Sequence, residues 1–209
     1  MAIFDIQPTA FSVLGYPLSY VELLGTFFGL LSVYFASQAN ILTWPTGIVN
    51  EIFFFLLFFQ VQLYADMFLQ IYFFVVTIYG WYNWKQPSVK YRIDPLNVKT
   101  KILMIVTVLV GALLAGFVFS HIHRLLPVVF SVPASYPYPD SFILVASIVA
   151  TILLAKKKIE TWYLWIAVDA VAVLLYLKKE IYFLSLEYAI FLGIATYGLY
   201  RWRKQQSYG

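Results

Sequence analysis

The chain has 209 residues, of which 62% are hydrophobic and only 11% charged, and its mean hydropathy is +0.81. A soluble domain needs charge on roughly a quarter of its residues, so this composition excludes one and points to an integral membrane protein. The net charge of +4 does not indicate nucleic acid, because its placement follows membrane topology; the lack of cysteine excludes disulfides, thiolate metal sites and thiol catalysis.

Residues 1–18 carry Pro8, Gly15, Pro17 and one acid, and read as an extracytoplasmic lead-in; no basic stretch precedes an apolar run, so no removable signal is expected. A first span is expected from Ser19 to Ser37, with Gly25 and Gly29 four apart, a spacing that lets another helix approach closely. The second starts at Thr43-Trp44-Pro45, with Thr43 as its N-cap and the proline in the first turn, and ends near Gln60. The third runs from about Leu63 to Trp84. A basic stretch, KQPSVKYRIDPLNVKTK, follows, then a fourth span from Ile102 to about Ser120. His121 to Asp140 holds four prolines and reads as a loop, in which LLPVVFSV is too short to cross a bilayer. Further spans are expected over Ser141–Ala155, Trp162–Leu177 and Ile181–Trp202.

The segment from Thr43 to Trp84 recurs without a gap as Thr161 to Trp202, at a constant offset of 118 residues. Identical pairs include Thr43/Thr161, Trp44/Trp162, Tyr79/Tyr197, Gly80/Gly198 and Trp84/Trp202, and Glu51 falls on Asp169. Such self-similarity indicates a duplication. The organisation is then a lead-in over 1–18, a three-helix unit over 19–84, a basic loop, linker helix and outer loop over 85–140, a second three-helix unit over 141–202 and a tail over 203–209. The expected fold is an all-α membrane protein of seven transmembrane helices in a parallel 3+1+3 repeat, because an odd linker gives both triplets the same orientation. With the N-terminus outside, 11 of the 14 lysines and arginines fall on cytoplasmic segments, at Lys85 to Lys101, Lys156 to Lys158 and Arg201 to Lys204. Arg124, Lys178 and Lys179 fall outside.

Trp44, Gly47 and Glu51 share one helical face, as do Trp162, Trp165 and Asp169. Each repeat therefore presents indole and carboxylate together, about two turns deep. A carboxylate facing lipid costs several kcal/mol, so both acids must face the bundle interior or water and must have a partner. No lysine or arginine lies within the apolar runs to pair with them, and a flat cationic ring would supply the missing charge and stack on the aromatics. The bland alternative is that the acids are protonated or hydrogen-bonded between helices. The third span has a polar stripe of Asp66, Gln70 and Thr77; Gln70 can bond hydroxyls or a carboxamide, or simply join helices. Asn50 is a further candidate ligand group, and Glu187 is expected to face a neighbouring helix. Trp81, Trp84 and Trp202 sit at helix ends beside basic loops and read as interface anchors. His121 and His123 do not share a helical face and make a poor metal site. No phosphate-binding glycine loop, mid-helix Schiff-base lysine or catalytic cluster is present, which argues against an ATP-driven pump, a retinal protein and a membrane enzyme. A proton-coupled carrier and, less well suited, a seven-helix receptor stay open.

LYADMFLQIYFFVVTIYGWYNW, with TW-P-x-G before it and W-x-x-W-x-x-x-D in the second half, resembles the PnuC family of bacterial vitamin transporters from the first span to the C-terminal Arg-Trp. The resemblance implies a SWEET-like fold in the cell inner membrane. It implies uptake of nicotinamide riboside, or of thiamine or a flavin in relatives, by facilitated diffusion, with intracellular phosphorylation trapping the vitamin. It requires no cofactor and no nucleic acid, its partners are the vitamin and the lipid bilayer, and it is compatible with a homo-oligomer. The family's motif falls on Trp162, Trp165 and Asp169 and its helix-3 glutamine on Gln70; the first-half counterparts are Trp44 and Asn50 or Glu51.

Overall fold

A computed structural model of the chain describes residues 9–13, 16–60, 64–87, 93–125 and 133–207. Seven helices account for nearly all of it: α1 (Tyr20–Ser37), α2 (Thr43–Gln60), α3 (Tyr64–Lys85), α4 (Val98–Leu125), α5 (Pro137–Ala155), α6 (Glu160–Lys178) and α7 (Tyr182–Ser207). Among the described residues, α1, α4, α5, α6 and α7 are each long and apolar enough to cross a bilayer unaided. The other two carry polar residues mid-helix, Asn50 and Glu51 on α2 and Gln70 on α3. Leu103, Leu113 and Leu114 on α4 are more than 60% exposed, as suits side chains bathed in lipid. The protein crosses the membrane several times.

The lead-in contains a structure that its turn-formers did not suggest, an antiparallel hairpin of β1 (Thr9–Val13) and β2 (Tyr16–Ser19). It hands the chain to α1 through a capping box. The Ser19 hydroxyl accepts the Glu22 N–H at 3.2 Å, and the Glu22 carboxylate accepts the Ser19 N–H at 2.9 Å.

Three expected boundaries move for local reasons. The fourth helix extends beyond its apolar core at both ends, because Asn97 caps it by accepting the Thr100 N–H at 2.9 Å and its last turns absorb His121 and His123. Those histidines are therefore helical rather than in a loop. The fifth helix begins inside the segment read as a loop, with Pro137 and Pro139 in a first turn that needs no N–H. Thr43 does not cap α2; it lies within the helix and donates to the Ser32 carbonyl of α1 at 2.9 Å. The LLPVVFSV piece, apart from its first leucine, lies outside the described residues, as do Lys90 and Arg92.

The helices close into a ring. Packing runs α1–α2–α3–α5–α6–α7 and back to α1, while α4 lies outside the ring against α5. In this order α2 stands opposite α6 and α3 opposite α7. Details repeat at the 118-residue offset. Thr43 donates to Ser32 O at 2.9 Å, and Thr161 donates to Ala150 O at 2.8 Å. Helices α1 and α5 both end in a turn whose N–H groups return to carbonyls three and five residues back, at Ala39 with φ 52° and Lys157 with φ 50°. The Trp44 ring lies against Gly80 and the Trp162 ring against Gly198, where an added Cβ would come within 2.2 Å and 2.8 Å of the indole.

Candidate functional site

The α1–α2 contact is close because both α1 glycines face α2. A Cβ on Gly29 would lie 2.8 Å from Asn50 Nδ2, and one on Gly25 would lie 3.1 Å from the Phe54 ring. Asn50 uses this proximity to donate to Gly25 O at 2.8 Å, so its amide joins helices and points away from the α3 side where Glu51 lies.

Glu51 is 7% exposed, and its Oε1 accepts the Thr77 hydroxyl at 2.5 Å. Its other oxygen, Oε2, has no partner among the described residues. An ionised oxygen left so is costly in a low-dielectric interior, and a cation or donor brought to it would be strongly held. Glu51 and Gln70 together border a half-open, largely apolar cavity of about 220 Å³ between α2 and α3, lined also by Phe55, Phe74, Ile52 and Ile71, the last two exposed on the outer surface of the bundle. Asp169 does not border it. It is 3% exposed on α6, on the same inward face as Trp162 and the half-buried Trp165. The residue corresponding to Thr77 is Ala195, so Asp169 lacks the hydroxyl that Glu51 uses. The side chain of Asp66 lies outside the described residues. No cluster of histidines and acids suited to a metal occurs among the described residues.

The interface-anchor reading of Trp84 and Trp202 is overturned. They are 2% and 0% exposed, and with Trp44 and Trp162 they form a buried chain of indoles. The ring centroids of Trp44 and Trp84 are 5.1 Å apart, those of Trp84 and Trp202 6.1 Å, and those of Trp162 and Trp202 5.5 Å. A tryptophan at a helix end suits either a bilayer interface or a packed terminus, and only the tertiary contact decides. Their shared place at the 118-residue offset was the available signal.

Lys157, in the turn between α5 and α6, is 4% exposed and holds its ammonium 4.4 Å from the Trp84 ring centroid. Burial pushes its pKa down to about 8. Between pH 8 and 10.5 the unfolded chain keeps this proton while the folded one has released it. Stability therefore rises with pH across that window, and the penalty is fully present below it. The attraction of the ring for the cation offsets part of the burial cost, so the melting temperature in detergent is expected to rise by about 3–6 °C from pH 8 to 10. A Lys157→Met variant should lack that increment.

Residues 19–204 match the family described as nicotinamide mononucleotide transporters. The nicotinamide riboside transporter PnuC of Escherichia coli (strain K12) is 34% identical over 207 residues, covering 90% of this chain and 87% of that protein. The riboflavin/roseoflavin transporter RibM of Streptomyces davaonensis is 24% identical over 202 residues, covering 94% of this chain and 91% of RibM. Among solved structures, the crystal structure of the vitamin B3 transporter PnuC superposes with a TM-score of 0.67 at 20% identity, over 90% of this chain and 83% of that one. These relatives are transporters rather than enzymes, and the chain belongs to the nicotinamide mononucleotide transporter family.

Proposed function

We propose that the protein carries nicotinamide riboside across the cell inner membrane by facilitated diffusion, with intracellular phosphorylation retaining the vitamin. The observation that carries this reading is the unpartnered oxygen of Glu51, which borders the same cavity as Gln70, in a chain 34% identical to a nicotinamide riboside transporter. Nicotinamide riboside brings a flat cationic ring for the acid and the aromatic walls, and hydroxyls with a carboxamide for Gln70. The proposed contact set is Glu51 and Gln70 at the cavity with Trp165 and Asp169 on α6, while Trp44 and Trp162 belong to the indole cluster and Asn50 is engaged with Gly25 O. The relation to RibM raises a flavin as cargo, but riboflavin is uncharged and would leave Glu51 without its counter-ion.

The finer architecture proposed is a parallel 3+1+3 repeat of SWEET-like form, with the N-terminus outside and the C-terminus cytoplasmic. Supporting it are the hydrogen bonds and turns that recur at the 118-residue offset and the concentration of lysine and arginine at the ends of α3, α5 and α7. Parallel halves can rock about a central site and expose it to each face in turn.

Calorimetry of the purified protein against nicotinamide riboside, thiamine and riboflavin tests the assignment. Binding of the first alone is expected; tighter binding of thiamine would reassign the cargo within the same class of cations. Trp165→Ala and Gln70→Ala should each weaken binding about tenfold or more with normal membrane insertion. Unchanged affinity in both would remove them from the site. Uptake into liposomes should not respond to an imposed pH gradient.

A further inference from the structure

At the lysine-rich end, two indole hydrogen bonds cross between the halves, and each is the counterpart of the other. Trp84 Nε1 donates to Leu154 O at the end of α5 at 3.1 Å, and Trp202 Nε1 donates to Ala36 O at the end of α1 at 3.0 Å. Both acceptors also receive the N–H that closes the helix-ending turn, from Lys157 and Ala39, each at 2.9 Å. The indoles thus use the second lone pair of carbonyls already fixed in direction.

Helices α3 and α7 stand opposite one another in the ring. The 6.1 Å approach of Trp84 and Trp202 therefore spans its diameter, and Trp44 and Trp162 from the other opposed pair fill in beside them. Ile93 and Ile159 pack against the same cluster. Four rings no more than 2% exposed leave no passage for a nucleoside. Cargo that crosses the bundle must part them.

At the lysine-rich end the two seams between the halves are not equally tied. On the α3–α5 seam, Trp84 is joined by Tyr72, which donates to Ile148 O at 3.1 Å, and by Asn83, which donates to Ala155 O at 2.8 Å. On the α1–α7 seam, Arg201 stands in the place of Asn83 and leaves its Nε unpartnered among the described residues. Farther along that seam the Thr26 hydroxyl of α1 donates to the Glu187 carboxylate of α7, as Tyr72 bridges the other seam, but at the lysine-rich end α7 is held to α1 through Trp202 among the described residues.

We propose that the bundle opens at this end along the α1–α7 seam, with the Trp202 indole as the gate's latch and the α3–α5 seam as its hinge. The inference rests on the transporter reading but not on which vitamin is carried. When the latch releases, Ala36 O exchanges the indole for water, and α7 carries Trp202 away from Trp84 while Trp84 stays on Leu154. The donor lost from Trp202 and the acceptor freed at Ala36 are both re-solvated, so the bond itself costs little, and the larger cost of opening is the apolar surface the rings expose.

The chain contains no cysteine, so a single Ala195→Cys reports cleanly on access to the space behind the rings. Ala195 is fully buried and packs against the indole cluster. Its reaction with a membrane-impermeant methanethiosulfonate is measured from each side in oriented vesicles. Replacing Trp202 with benzothienylalanine keeps the ring and removes only the N–H. Modification from the lysine-rich side is expected to rise about fivefold, with no change from the other side. The same replacement at Trp84 should change it less than twofold, because Asn83 still holds that seam at this end. Equal acceleration by both replacements, no acceleration by either, or no modification from that side in any background would overturn the proposal. Ile166→Cys is a second reporter that makes the outcome independent of how position 195 tolerates sulfur. No cargo enters the measurement, so its failure is separable from a wrong substrate.

Discussion

Gly80→Ala is expected to leave little folded transporter, in contrast to Gly193→Ala, which should fold normally. A Cβ at position 80 would sit 2.2 Å from Trp44 Cη2 and within 2.6 Å of two more atoms of the same ring. That ring cannot step aside, because it is 2% exposed and meets Trp84 edge to face at 5.1 Å. Overpacking of this kind costs about 1–3 kcal/mol even where neighbours yield, and here the neighbour is a rigid indole inside a closed cluster. Gly198→Ala should behave similarly, with three atoms of Trp162 at 2.8 Å. At Gly193 nothing lies within 4 Å, so alanine there should gain about 0.8–1.0 kcal/mol of helix propensity. Size-exclusion profiles in detergent and the near-ultraviolet circular dichroism of the tryptophans measure the difference. A monodisperse Gly80→Ala protein with wild-type aromatic ellipticity would show that the indole cluster is loosely packed.

The second large effect is on binding. Glu51→Gln keeps the volume of the side chain and a carbonyl oxygen to accept the Thr77 hydroxyl, and it removes only the charge. If the free oxygen is the counter-ion of a cationic ring, affinity for nicotinamide riboside should fall about 30- to 100-fold, the worth of a charge-assisted contact in a dry site. Stability should hold or rise, because a neutral amide is no costlier to bury than the carboxyl group it replaces. Calorimetry paired with thermal melting separates these effects. Unaltered affinity at unaltered stability would place the cargo elsewhere in the bundle.

The run of seven helices was legible because a bilayer permits only segments that satisfy their own backbone, so apolar length and helix coincide. What hydropathy could not locate were ends set by polar chemistry, as where Asn97 starts α4 ahead of its apolar core and Pro137 starts α5 inside an apparent loop. The placement of the candidate site residues was partly legible. Helical spacing put Glu51 and Asp169 on inward faces, and both are buried. Spacing alone could not tell that Asn50 turns to Gly25, or that Glu51 and Gln70 border a cavity which Asp169 does not share. The tryptophans at 84 and 202 are the clearest case. Their equivalence was plain in the chain, yet their partner is a contact across the ring, which no local pattern encodes.

Each of these indoles finds its acceptor on the opposite half. A fragment stopping just beyond α3 would therefore leave the Trp84 donor without its partner and the second lone pair of Ala36 O unused. Those needs are self-complementary. Two copies of such a fragment, facing the same way, could satisfy each other about a twofold axis, as an isologous dimer does.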